Sequence, residues 1–272
     1  PWDRRGEQAS AGVQPPRYDI EDLLGIVPTD FSQPYDVREV IARLVDDSNF
    51  LEFKPLYDAF TICGHAAING HRVGIIGNNG PIYPAGATKA GQFIQLCCQS
   101  QTPIVYLQNT TGFMVGTDAE HGGMVKHGSK MIQAVANATV PQLTLIIGAS
   151  FGAGNYGMCG RAFGPRFLFS WPASRIAVMG GQQAAKVMQI ITTAKFERMG
   201  VKGDAKAIAA MGDAIRQQLD RESSPLFATA RLWDDGIIDP RDSRRVLSEA
   251  LDMCHDAKNR PLAPNTFGVA RF

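Results

Sequence analysis

The chain has 272 residues, 44% of them hydrophobic and 19% charged, with a formal net charge of +1. That supplies apolar material for one large domain or two small ones, and it argues against a strongly basic nucleic-acid binder or an acidic tail. No apolar run reaches the ~18 residues that span a bilayer, and five cysteines without a Cys-x-x-Cys pair argue against a disulfide framework or structural zinc and favour a reducing compartment.

In chain order, residues 1–34 are rich in proline and charge (GVQPPRYD, then IVPTDFSQP) and read as a linker or an arm wrapped on a partner, ahead of one domain over 35–272. The opening PWDRRGEQ carries no Met, which fits a segment of a longer polypeptide. Tyr35–Asp46 has helical spacing, with Val37, Val40, Ile41 and Leu44 on one face. TICGHAAINGHRVGIIGNNG reads as strand, Asn69-Gly70 turn and strand. Thr88–Gln99 is a predicted helix, TPIVYLQNTTG a buried strand, Lys126–Asn137 a helix, QLTLIIGAS a strand and NYGMCGR a helix. RFLFSWP and RIAVMGG are short predicted strands. QQAAKVMQII, DAKAIAAMGDAIRQQLDRES, PLFATARLWDD and SRRVLSEALDMCHDAK are predicted helices, with a weak break around Gly200–Asp204. This alternation predicts an α/β fold with a largely parallel sheet and a helical C-terminal region.

The turn SFGAGNYGMCGR (Ser150–Arg161) carries two overlapping patterns. Gly152, Gly154 and Gly157 spell the dinucleotide fingerprint G-x-G-x-x-G, which wants an acidic residue about 20 positions on. None occurs between Glu120 and Glu197, a stretch that holds Lys126, Lys130, Arg161, Arg166, Arg175, Lys186 and Lys195. That stretch reads either as a charge-poor buried region or as an electropositive region for an anionic ligand. Gly148, Ser150 and Gly152 spell the serine elbow G-x-S-x-G, and an order Ser150, Asp235 or Asp239, His255 can be written for a serine hydrolase. His255 falls in a helix-like run, where a surface role is favoured. A third use needs no side chain: successive N–H groups at a glycine-rich helix start can bind an oxygen that gains charge. Two further loops follow predicted strands, Asn109–Gly116 and Gly77–Gly80; each is a ligand candidate or an ordinary turn. His65, His71, His121 and His127 show no metal-ligand spacing.

Together, GNNGPIYPAGATKAGQFIQLC, the run from LQNTTGFMVG through SFGAGNYGMCGR, and FLFSWPASRIAVMGGQQAA resemble the carboxyltransferase β subunits of biotin-dependent acyl-CoA carboxylases. The likeness is strongest to the methylcrotonoyl-CoA and geranyl-CoA branch, with NNGPI and the C-terminal FGVARF leaning to the geranyl side. The resemblance implies a crotonase-like fold of ββα units, corresponding to the C-terminal half of the usual subunit. It implies carboxyl transfer from carboxybiotin to a branched unsaturated acyl-CoA. The implied partners are a biotin carboxylase and biotin carrier subunit, an N-terminal carboxyltransferase domain and further copies of the chain, with no nucleic acid or membrane, in the cytoplasm or the mitochondrial matrix. By resemblance, the backbone amides of Ala153 and Gly154 face the biotin ureido oxygen. Thr111, Gly112, Phe113, Met114, Gly116, Gly152 and Tyr156 form the biotin pocket, and Asn78, Asn79, Gly80 and a helix start near Thr88 border the acyl-CoA side. A non-catalytic assembly fragment of the carboxylase is the alternative outside enzymes.

Overall fold

The computed structural model describes residues 13–30, 33–201, 203–258 and 260, so PWDRRGEQ and FGVARF lie outside the described residues. The elements are α1 (Leu23–Ile26), α2 (Val37–Leu44), β1 (Leu51–Glu52), β2 (Thr61–Ile68), β3 (His71–Asn78), α3 (Pro84–Gln99), β4 (Ile104–Thr110), α4 (Thr117–His121), α5 (Met124–Ala136), β5 (Gln142–Phe151), α6 (Ala153–Gly157), β6 (Phe167–Ser170), β7 (Arg175–Ala177), α7 (Gly181–Arg198), α8 (Ala205–Glu222), α9 (Pro225–Thr229), β8 (Gly236–Ile237) and α10 (Ser243–Lys258). The strands form one eight-stranded sheet in the order β1-β2-β3-β4-β5-β6-β8, with β7 on the distal half of β5. The β1–β2 and β2–β3 pairs are antiparallel, and every later pair is parallel.

The β2–β3 hairpin forms where Asn69-Gly70 predicts it. Both turn residues have positive φ, 51° and 86°, as a two-residue turn matched to strand twist requires. All ten residues of β5 are buried, so it is the central strand. Alternation along the strands feeds two cores. Ile62, Val73, Ile75, Leu107, Leu145 and Trp171 pack with α2 and α10 on one face. Cys63, Ile76, Phe93, Tyr106, Met131 and Met158 pack with α3 and α5 on the other.

The region before α2 departs from a bare linker. Leu23 is 1% exposed and joins the first core with Val27, while Arg43 pairs with Asp22 (2.9 Å) and Glu39 (2.8 Å). The described part of the arm therefore packs on its own chain. Three helices also differ from expectation. The helix predicted from Thr88 begins at Pro84, because Pro suits a first helical position. NYGMCGR is helical only to Gly157, since Cys159 turns the chain with φ 55°. PLFATARLWDD is helical only over Pro225–Thr229, capped by the Ser224 side chain, and Leu232 follows with φ 58°. The break near Gly200 is the reversal between α7 and α8, with Gly200 at φ 66°.

Candidate active site

Parallel strands β3, β4 and β5 release their loops at one edge of the sheet, the usual ligand edge of such sheets. Those loops are stitched together. Ile82 N–H donates to Gly112 O and Met114 N–H to Ile82 O, each at 2.9 Å. A Cβ on Gly154 would lie 2.8 Å from Gly112 Cα and 2.9 Å from Thr110 Cγ2, so only glycine lets the β5 turn close onto the β4 loop. Tyr83, Pro84, Met114, Val115, Gly116 and Thr117 line a cavity of about 460 Å³ beside this junction.

The turn itself is built by Gly152, with φ 57° and ψ −143°, a conformation open to glycine. Its N–H donates to Ala177 O (3.0 Å), which fixes the turn against β7. Ala153 and Gly154 are the first two residues of α6, so their N–H groups have no intrahelical acceptor. Among the described residues no other group accepts them, the next donor being Asn155 N–H to Gly152 O (3.2 Å). Ala153 is exposed and Gly154 buried. The result is a pair of adjacent main-chain donors at the edge of the joined loops, able to hold an oxygen that gains negative charge.

The other expected residues divide. Gly112 and Gly116 have φ of 121° and 122°, and Gly116 and Met114 line the cavity. Thr111 and Tyr156 are exposed near the turn, the Tyr156 ring 5.6 Å from Phe163. Phe113 is half-buried and wedged between α5 and α6, its ring in the space a side chain would need at Gly128 or Gly157. Asn79 is occupied inside the chain: its Oδ1 accepts from Val37 N (2.7 Å), its Nδ2 donates to Asp36 (3.1 Å), and its N–H donates to Phe60 O (2.7 Å). Asn78 is fully buried at the end of β3, with neither amide atom hydrogen-bonded. Gly80 follows with φ 150°. Thr88 lies one turn into α3 rather than at its start. Its Oγ1 donates to Pro84 O (2.9 Å) and lies 3.0 Å from His127 Nδ1.

The serine-elbow reading fails on geometry. Ser150 is fully buried inside β5, and its hydroxyl donates to Gln108 Oε1 (2.5 Å) while accepting from Asn155 Nδ2 (2.8 Å). The other expected triad members are elsewhere: Asp235 accepts from Leu168 N (2.7 Å), Asp239 caps a short turn and grips Arg241 (2.8 Å), and His255 lies in the last turn of α10. The dinucleotide pattern fails too, because its three glycines serve the turn, the Gly112 contact and the Phe113 contact. Nor is the acid-free stretch uniformly electropositive. Arg161 pairs with Asp235 (3.0 Å), and Arg175 donates to its own loop carbonyls. No cluster of metal-ligating side chains occurs among the described residues. Pattern-reading passed over Gln108 and Asn155; a polar residue inside a buried apolar strand was the signal for Gln108.

Residues 3–268 match the carboxyl transferase domain family. The chain is 50% identical over 257 residues to the mitochondrial methylcrotonoyl-CoA carboxylase beta chain of Arabidopsis thaliana, covering 94% of this chain and 43% of that one. Among solved structures, the beta subunit of P. aeruginosa geranyl-CoA carboxylase superposes with a TM-score of 0.88 at 58% identity, over 96% of this chain and 49% of that one. The transcarboxylase 12S hexamer, with methylmalonyl-coenzyme A bound, superposes with a TM-score of 0.78 at 33% identity, over 95% and 48%. The chain thus spans about half the length of the relatives it matches, and it shares the crotonase fold of these carboxyltransferases.

Proposed function

The chain belongs to the carboxyl transferase domain family, and on that premise we propose that it is the C-terminal half of the carboxyltransferase subunit of a biotin-dependent acyl-CoA carboxylase. Its acyl-CoA is branched and unsaturated, of the methylcrotonoyl-CoA or geranyl-CoA type. The observation that carries this is the turn at the end of β5, where the Ala153 and Gly154 N–H groups stand without acceptors among the described residues. Gly154 lets this turn close onto Gly112 and Thr110, and Gly152 sets it with φ 57°.

When bound, carboxybiotin on a partner subunit would supply the carboxyl group and leave negative charge on its ureido oxygen. The Ala153 and Gly154 N–H groups donate to that oxygen, and one such donor typically contributes ~3–4 kcal/mol in a transition state. Thr111, Met114, Gly116, Gly152 and Tyr156 border the biotin ring, and Phe113 holds the Gly112 loop against α5 and α6. The thioester approaches over the Asn78–Gly80 loop and the first turns of α3, with Asn79 holding the loop to α2 and Gly80 offering main chain. Stabilisation of the thioester oxygen falls to the N-terminal half of the family's subunit. Oligomerisation is supported by the apolar face of α7 and its following turn, where Val187, Met188, Ile190, Ile191, Met199 and Val201 are exposed.

The test compares this chain alone with the same chain joined to its N-terminal half and supplied with a biotin-carrying partner. The complete enzyme carboxylates methylcrotonoyl-CoA or geranyl-CoA in preference to propionyl-CoA, and the isolated chain turns over neither. Preference for propionyl-CoA would contradict the branch assignment, and full turnover by the isolated chain would contradict a site shared between halves.

A further inference from the structure

We infer that Gln108, Ser150 and Asn155 form a positioning network that sets the direction of the Ala153 and Gly154 N–H groups; this rests on the function proposed above. Helix α6 has five residues, too few to hold its own orientation in water. It is braced from below at its middle and at its end. From its middle residue, Asn155 Nδ2 donates to Ser150 Oγ (2.8 Å) and lies 3.5 Å from Gln108 Oε1. At its end, Gln108 Nε2 donates to the Met158 carbonyl (2.6 Å). Ser150 closes the network by donating to Gln108 Oε1 (2.5 Å).

Gln108 and Ser150 are both 0% exposed. Gln108 Oε1 and Nε2, Ser150 Oγ and Asn155 Nδ2 each have a partner of complementary type, the arrangement that makes a buried network rigid. The network joins β4, β5 and α6 across the same junction at which Gly154 meets Gly112. Ser150 precedes the two donors by three and four residues, and Asn155 follows them directly. A change in these bonds therefore tilts α6, and with it both N–H vectors, while the cavity lined by Tyr83 and Met114 lies outside the network. Ser150 does no covalent chemistry; its hydroxyl fixes the geometry of neighbouring main chain.

In the complete carboxylase, Ser150→Ala and Asn155→Asp each lower kcat roughly 10- to 100-fold, the range a small misplacement of catalytic groups produces, with KM for the acyl-CoA unchanged. Ser243→Ala is the matched control. It removes the acceptor of Trp171 Nε1 (2.8 Å) in the core on the other face of the sheet, and it keeps kcat. Full kcat in folded Ser150→Ala and Asn155→Asp overturns the inference, as does a loss that tracks melting temperature across all three variants. Ala153→Pro separates the two levels. If it also keeps full kcat, the proposed function fails; if it alone is inactive, the positioning network fails.

Discussion

Gly154 sits so close to Gly112 that one added methyl group would contact Gly112 Cα at 2.8 Å. Gly154→Ala keeps the N–H and overpacks the junction, so thermal unfolding should show a loss of about 1–3 kcal/mol; an unchanged melting temperature would mean that the loops part freely. Ala153 offers the complementary experiment. It is exposed, already carries a Cβ and occupies the first helical position, where proline is tolerated. Ala153→Pro therefore deletes one donor with little steric effect, whereas Gly154→Pro would delete a donor and also collide with Gly112. The tight turn after β5 was legible in its small residues. For Gln108 only its polarity inside an apolar strand was a signal, because its bonds join positions 42 and 50 residues apart, and no local pattern records such pairs.

At the scale of elements, local rules held where local chemistry dominates. Asn69-Gly70 fixed the β2–β3 hairpin, and the apolar spacing of Val37, Val40, Ile41 and Leu44 fixed α2. The helices α6 and α9 end early, and the positive-φ residues Cys159 and Leu232 turn the chain beyond them, which apolar spacing does not record. The layer between the sheet and α3 and α5 also sets alkaline behaviour. Desolvation pushes the Cys97 and Cys159 thiols up to about 12 from 9.0 and holds the Tyr106 phenol well above 10.0. The unfolded chain releases these protons first, so their stabilisation is complete below pH 9.0 and is lost as pH rises toward 12. Lys89, its pKa lowered from 10.5 chiefly by burial, acts in the opposite direction as pH approaches that value. Burial pushes the Cys63 thiol of the same layer up as well, so the raised acids outnumber the one base and urea midpoints should fall between about pH 8 and about pH 10; a rising midpoint would contradict this packing.

At the scale of the whole molecule, the chain spans about half the length of its relatives, and its exposed apolar α7 face is surface suited to burial in an assembly. The long motifs around β4 and β5 identified the family because the loops Asn109–Gly116 and Ser150–Arg161, which meet where Gly154 approaches Gly112, lie in one continuous stretch of chain. On the proposed function, main-chain amides of the β5 turn, and no serine nucleophile, carry the chemistry. The most direct measurement is kcat for carboxyl transfer by Ala153→Pro in the complete carboxylase, with folding checked by circular dichroism. The expected result is a roughly 100- to 1,000-fold fall in kcat, the usual effect of removing one oxyanion donor. Full kcat in the folded variant would contradict the account.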